Sequence, residues 1–235
     1  MHPNEIKTTS GIQGKVYDEG LRTHMTSIYN RMMVGVLITG VVAYVAANTG
    51  LINVIMANSL LKMAIMFGPL AVIMFGFKPN TMSSSKLRTS FIIVSILYGL
   101  SFSAIFIVYT GTDIARAFFM TSGAFAGLSL YGYTTKKNLD GFRSFLVMGM
   151  FGLLILSVVN MFMESSLMMN VISAAGILIF GGLTAWETQN MKEMYSPSYG
   201  EEANSRMAWM SSLNLYISFV AMFQYILYFV GGNND

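Results

Sequence analysis

The chain opens with a mostly polar stretch and changes character near Met32, where long apolar runs begin to alternate with short polar breaks. The runs are Met32–Ala47, Leu60–Phe77, Phe91–Tyr109, Ile114–Tyr133, Phe142–Met163, Leu167–Trp186 and Met207–Val230. Most approach the roughly 20 residues that cross about 30 Å of hydrocarbon at about 1.5 Å per residue. The first is shorter and gains length from Ile28 or Tyr29 upstream. A membrane β-strand would alternate apolar and polar residues. Phe91-Ile92-Ile93-Val94 and Leu153-Leu154-Ile155-Leu156 do not. One such run would suit the core of a soluble protein, but seven in 235 residues exceed what one soluble core encloses. Lipid must cover them, and there the backbone satisfies its own hydrogen bonds as helix. The pattern predicts an all-α integral membrane protein: a polar segment over residues 1–28, then a domain of seven transmembrane helices over 29–235.

Composition agrees. Hydrophobic residues make up 54% of the chain and charged residues 11%, against about 25% charged in a soluble domain. Such a chain is too apolar for disorder. Having no cysteine, it has no disulfide scaffold, zinc ribbon or thiol nucleophile. The net charge of +3 and a pI near 9.0 would suit a nucleic-acid binder, but the positions of the basic residues give another reason for them. Lys7, Lys15, Arg22 and Arg31 precede the first span, and Lys78, Lys86 and Arg88 follow the second. Lys136, Lys137 and Arg143 follow the fourth, and Lys192 and Arg206 the sixth. Seven crossings put these twelve of the 14 on one side, leaving Lys62 and Arg116 opposite. The positive-inside rule then places the amino terminus in the cytoplasm and the carboxyl terminus outside, with lipid and not nucleic acid as partner. The first residues lack the apolar core of a signal peptide, so a bacterial inner membrane is expected, an organelle membrane being the alternative.

Little catalytic chemistry remains. His2 and His24 both precede the apolar runs and read as solvated surface residues, so no span offers a serine–histidine dyad or a histidine zinc site. A retinal protein needs a lysine in the last span, and none is there. No glycine-rich nucleotide loop appears. An enzyme is not expected, nor a resident metal or cofactor. Of the 11 acidic residues, ten fall in ends, loops or helix caps. Glu187 follows about 20 apolar residues without a break, beside Trp186 at the aromatic belt. An intramembrane carboxylate is costly and a functional candidate, although this one is also placed to reach cytoplasmic water. Ser211, Asn214 and Ser218 recur at helical steps in span seven and form a polar stripe, suited to contact with other helices. Arg88, at the entry to span three, is a candidate partner for Glu187 or a simple interfacial anchor. Gly123 and Gly127 form a G-x-x-x-G on span four, and Gly181 and Gly182 lie on span six; all four suggest close helix packing. Pro69 should kink span two or leave a carbonyl free.

Four segments in order carry a family resemblance: Tyr98-Gly99-Leu100-Ser101-Phe102-Ser103 through Tyr109; Gly132-Tyr133-Thr134-Thr135-Lys136-Lys137-Asn138-Leu139; Thr184-Ala185-Trp186-Glu187-Thr188-Gln189-Asn190-Met191-Lys192; and Leu213-Asn214-Leu215-Tyr216 with Phe219. From about Asp18 onward the chain resembles the Bax inhibitor-1 family, in particular its bacterial YccA-like branch. The resemblance implies a seven-helix bundle with helix seven central and wrapped by the other six. Some members are pH-sensitive calcium leak channels in which two aspartates, on helices six and seven, share a proton near an arginine. The first aspartate matches Glu187 and the second matches Ser218, so the second carboxylate is missing here. Two touching carboxylates repel, which sets a shared titration. A lone glutamate lacks that repulsion, and a weaker pH response is expected.

Three functions follow as expectations. The first is a leak channel for calcium or another cation, gated at Glu187, with Ca2+ as cargo. The second is a regulatory partner of an FtsH-type ATP-dependent membrane protease, engaged through the polar amino-terminal segment. The third is a secondary transporter. Oligomeric state is open.

Overall fold

The computed structural model describes residues 3–232, with side chains described from Asp18 onward. Its helices are α1 (Pro3–Asn48), α2 (Leu51–Ala57), α3 (Ser59–Gly76), α4 (Ser84–Phe102), α5 (Ile105–Val108), α6 (Gly111–Thr134), α7 (Asp140–Met163), α8 (Ser166–Met194) and α9 (Gly200–Gly231). A 3-10 turn, Pro197–Tyr199, precedes α9. There is no strand among the described residues. Among the described residues six stretches are long and apolar enough to cross a membrane: Asp18–Asn48, Ser59–Gly76, Ser84–Val108, Asp140–Met163, Ser166–Met194 and Pro197–Gly231. The 24-residue α6 is as long as α7 but carries Asp113 and Arg116 near its start, and it is not among the six.

Helices outrun the apolar runs. Hydropathy reports the solvent of a segment, whereas helix formation needs only a continuous backbone ladder. So α8 continues eight residues past Trp186, and α1 runs unbroken through the polar stretch. The expected boundary between residues 28 and 29 therefore falls inside one helix. His2 lies outside the described residues. His24 is buried, with its ring 5.0 Å from that of Tyr195, so the reading of His24 as a solvated surface residue fails. The connection between α8 and α9 folds over α1 at that level, which the pattern along α1 cannot show. The short α2 lies in a loop, and Asn58 starts the next helix by accepting from the backbone N–H groups of Leu60 and Leu61 at 3.1 Å each.

The centre of the bundle is α9, the last long helix, which packs against α1, α4, α6 and α8. The family resemblance implied a wrap of six. Instead α3 packs on α4 and α7 on α8, forming an outer layer. Tyr216 of α9 is fully buried among Phe91, Tyr98 and Thr39. Its hydroxyl donates to Thr39 Oγ1 at 2.7 Å, because Thr39 spends its own proton on the Ser95 carbonyl at 2.9 Å. A buried tyrosine needs such a partner. The outer face of α7 exposes Phe142, Phe145, Met148, Phe151, Leu154 and Ile155. A continuous apolar face of that kind is covered by lipid, not water.

Pro69 lies within α3 without ending it. Proline lacks the N–H that would bond the carbonyl four residues back, here that of Ile65. Ser101 of α4 supplies the missing donor, its Oγ reaching the Ile65 carbonyl at 2.8 Å. The glycine contacts differ from expectation. A methyl group at Gly123 or Gly127 would meet nothing within 4 Å, so these two do not mediate close helix packing; their face of α6 is exposed. The tight contact on α6 is one turn on, at Gly132, whose backbone lies against the Ala185 carbonyl of α8. Gly181 and Gly182 do sit at helix contacts, 3.0 Å from Leu128 Cδ1 and 2.7 Å from Leu146 Cδ2 when a Cβ is placed on them.

Candidate functional site

Two stretches some 50 residues apart form one structural unit. The loop between α6 and α7 is held by successive turns of α8. The Gln189 carboxamide is buried and serves the loop twice: Oε1 accepts the Leu139 N–H and Nε2 donates to the Lys137 carbonyl, each at 2.8 Å. Trp186 Nε1 donates to Asp140 Oδ1 at 2.9 Å, and Lys192 Nζ donates to the Tyr133 carbonyl at 3.1 Å. With Gly132 against Ala185, these contacts fix the rotation of α8 about its axis. Trp186 and Gln189 then face the loop. Glu187, one residue on from Trp186 and so about 100° around the helix, faces α9.

There Glu187 Oε2 accepts a hydrogen bond from Ser218 Oγ at 3.2 Å. Both residues line a cavity of about 490 Å³ between α7, α8 and α9, shared with Arg143, Trp186, Asn190 and Asn214. Glu187 is partly buried, and Ser218 is 2% exposed. The cavity lies toward the basic end of the bundle, because Arg143 opens α7, Asn190 is in the last turns of α8 and Asn214 precedes Ser218 on α9. It exists because α7 packs on α8 and leaves its flank toward α9 open. Arg143 stacks over the Trp186 ring, Cζ 5.0 Å from the centroid. The Asp140–Trp186 hydrogen bond holds that indole in place, a geometry that favours a guanidinium on its face.

The polar stripe on α9 faces the bundle. Asn214 and Ser218 line the cavity, whereas Ser211 is buried but does not reach it. Its neighbour Ser212 ties α9 to α1 through the Ile28 carbonyl at 3.1 Å. Arg88 is not part of the site. It is exposed on α4, which packs on α1, α3 and α9, and among the described residues no hydrogen bond or ion pair joins it to Glu187. The basic residue at the cavity is Arg143. Its signal in the sequence was the spacing Asp140–Arg143 at the start of an apolar run, which reads equally as an interfacial anchor. Among the described residues no group of three or more metal-ligating side chains is assembled. A divalent cation entering the cavity would find one carboxylate, Glu187, with Asn214 and Ser218 oxygens beside it.

The fold and site define a polytopic α-helical membrane protein with a single carboxylate set between two interior helices. A model of the family described as "Inhibitor of apoptosis-promoting Bax1" matches residues 21–235. The chain belongs to that family, the Bax inhibitor-1 family. It is 37% identical over 231 residues to an uncharacterized protein, RP147, of Rickettsia prowazekii, covering 98% of this chain and 97% of that one. It is 38% identical over 229 residues to a protein of Caulobacter vibrioides, covering 93% and 92%. The Escherichia coli protein named "Inner membrane protein YbhL" is 35% identical over 221 residues, covering 90% and 92%.

Proposed function

We propose that this chain is a passive cation leak of a bacterial inner membrane, with calcium as its cargo and Glu187 as the gate. The observation that carries the reading is the Glu187–Ser218 hydrogen bond at the base of a cavity at the basic end of the bundle. Glu187 is the one acidic side chain lining that cavity, and a carboxylate held at this depth is costly unless it is used. In this proposal α6 is a seventh span. It is 24 residues long, packs against both α8 and α9, and turns Phe119, Met120, Leu130 and Tyr131 outward. With seven crossings the basic loops face the cytoplasm, the amino terminus lies inside and the carboxyl terminus outside. The cavity is then a cytoplasmic vestibule. The inner-membrane placement is supported by the name of the Escherichia coli relative. No catalysis, cofactor or resident metal enters the reading.

Flux through such a path is slow, because one carboxylate with hydroxyl and amide neighbours makes a transient cation site. Purified protein in liposomes is expected to pass calcium, and Glu187→Gln is expected to suppress that flux and flatten its pH profile. Unchanged flux and profile in Glu187→Gln would overturn the gate.

A second reading, regulation of an FtsH-type membrane protease, is favoured by the length of α1. Residues 3–28 form about 39 Å of helix ahead of the span at about 1.5 Å per residue, an arm of a size that a membrane protease could engage. Removing residues 1–17 tests it. Flux is expected to survive, and loss of protease engagement would support this second reading.

A further inference from the structure

Along the seam between α1 and α6 lie two recesses. At the basic end is one of about 320 Å³, bounded by Arg22, Thr26 and Tyr29 of α1 and by Ser129 and Tyr133 of α6. Ser129 is buried, and its hydroxyl has no hydrogen-bond partner among the described residues. Arg22 is exposed at the rim, and Lys192 sits beside Tyr133, Nζ 5.5 Å from the ring centroid. Further along the seam is a groove of about 290 Å³ between Val36, Gly40 and Ala43 of α1 and Ile114, Phe118 and Phe119 of α6. The groove is nearly all carbon. Its hydroxyl side chain, Thr39, is already engaged with Ser95 and Tyr216. It is about twice the ~150 Å³ apolar cavity that takes up a benzene molecule. The helix faces beside it, Leu37 and Val41 on one side and Met120 on the other, are exposed and lipid-facing.

We infer that the α1–α6 seam binds one anionic phospholipid, its phosphate held by Arg22 near Ser129 and an acyl chain running into the groove at Gly40. Spacing supports a single molecule. Residues 29 to 40 of α1 span about 16 Å, close to the about 15 Å of one leaflet's hydrocarbon. A lipid whose headgroup sits at Tyr29 therefore ends its chain at Gly40. Charge supports an anion, since the recess is lined by Arg22 and by no acidic residue, with Lys192 beside its Tyr133, while Asp18 and Glu19 lie one turn before Arg22 outside the lining. The buried Ser129 hydroxyl can donate to a phosphate or glycerol-ester oxygen. Phe219 and Val220 of α9 form the back wall of the groove, one and two residues from Ser218, so the bound chain would press on the helix that carries the gate. The lipid site stands independently of the leak.

The test is native mass spectrometry of detergent-purified protein supplied with phosphatidylglycerol or phosphatidylcholine. The wild-type chain is expected to retain one phosphatidylglycerol in preference to phosphatidylcholine. Arg22→Gln should abolish the preference. Gly40→Phe fills space where an added Cβ meets nothing within 4 Å. It should lower retention of both lipids about tenfold, equivalent to about 1.4 kcal/mol of lost contact. A second measurement does not depend on how well Gly40→Phe folds. The chain has no cysteine, so a fluorophore on Gly40→Cys should be quenched more by chain-brominated phosphatidylglycerol than by brominated phosphatidylcholine. On the outward Val41→Cys both lipids should quench alike. Equal retention in all three proteins, equal quenching at both positions, or a lipid-free dimer whose seam is closed by a second copy would overturn the inference.

Discussion

If Glu187 gates a cation leak as proposed, removing the hydroxyl of Ser218 is expected to raise calcium flux. In the structure that hydroxyl makes the hydrogen bond that ties the Glu187 carboxylate on α8 to α9. A hydrogen bond contributes about 0.5–1.5 kcal/mol net between neutral groups and about 1.5–3 kcal/mol to a charged one. At 3.2 Å this one is longer than the usual 2.5–3.0 Å range for hydroxyl donors, so the figure where the two ranges meet, about 1.5 kcal/mol, applies. If the bond holds the path closed, Ser218→Ala shifts the closed-to-open ratio by about tenfold. The variant leaves a space of hydroxyl size, and Ser218 is otherwise packed, so the fold should persist. The assay is calcium entry into liposomes that contain an indicator dye, at matched protein density, read across pH 5 to 8 for wild type, Ser218→Ala and Ser218→Asp. Ser218→Ala should leak about tenfold faster at every pH at which wild type is closed. Ser218→Asp places a second carboxylate beside Glu187, and the repulsion between them should make the flux steeper in pH around neutrality. Flux in Ser218→Ala within about twofold of wild type, the spread of a neutral substitution, with unchanged helicity and melting, would refute this mechanism.

Other predictions concern the frame around the site. Gly132→Ala puts a methyl group against the Ala185 carbonyl, which is backbone and cannot turn aside. It should destabilise the protein in detergent by about 1–3 kcal/mol or more, while Gly123→Ala and Gly127→Ala remain within about 0.5 kcal/mol; equal melting of all three would contradict the packing. Gln189→Leu strips two partners from the α6–α7 loop, so limited trypsin digestion should cut after Lys136 and Lys137 faster than in wild type. Ser101→Ala leaves the Ile65 carbonyl unpaired, at a cost of about 1–3 kcal/mol. Pairing it with Pro69→Ala restores an internal donor and should recover part of that loss in thermal melts. Truncation through residue 17 should be tolerated, whereas truncation through residue 28 removes the buried Met25 and Ile28 and should lower the yield of folded protein.

The long apolar runs were legible because lipid selects composition directly: among the described residues six of them reappear in helices long and apolar enough to cross a membrane, and Ile114–Tyr133 lies on α6, which is not among the six. Where the match fails, the missing information is azimuthal or three-dimensional. The spacing of Gly123 and Gly127 places them on one face of α6 without saying which face meets a neighbour, and it is the other face, with Gly132, that does. Arg88 was read from its charge ahead of an apolar run, but a basic residue's position in the sequence does not report which helices neighbour a carboxylate. Here α4, which carries Arg88, packs on α1, α3 and α9, while Glu187 of α8 lines the cavity with α7 and α9. His24 looked solvated because its own helix is polar there, while its cover comes from Tyr195, more than 150 residues away. Glu187 was legible for the opposite reason: charge is so scarce in this chain that one acid at the end of an apolar run stands out.

The placement of α9 connects these features. Ser218 faces the polar cavity and Phe219 with Val220 face the apolar groove, so one turn of a single helix divides a compartment open to charge from one open to hydrocarbon. Its neighbours differ in how firmly they are fixed. On one side α8 is pinned to the α6–α7 loop by Trp186, Gln189 and Lys192. On the other, α1 holds α9 through the Thr39–Tyr216 and Ser212–Ile28 hydrogen bonds. At the cavity itself, by contrast, the α8–α9 tie is the long Ser218–Glu187 bond. Any motion that opens the site should therefore break that bond first, and the pinned side of α8 confines the movement to α9 or to α7, whose flank toward α9 is open. Under the proposed leak, the contact to break is therefore the one between the Glu187 carboxylate on α8 and the Ser218 hydroxyl on α9, in a cavity that the outer-layer helix α7 flanks.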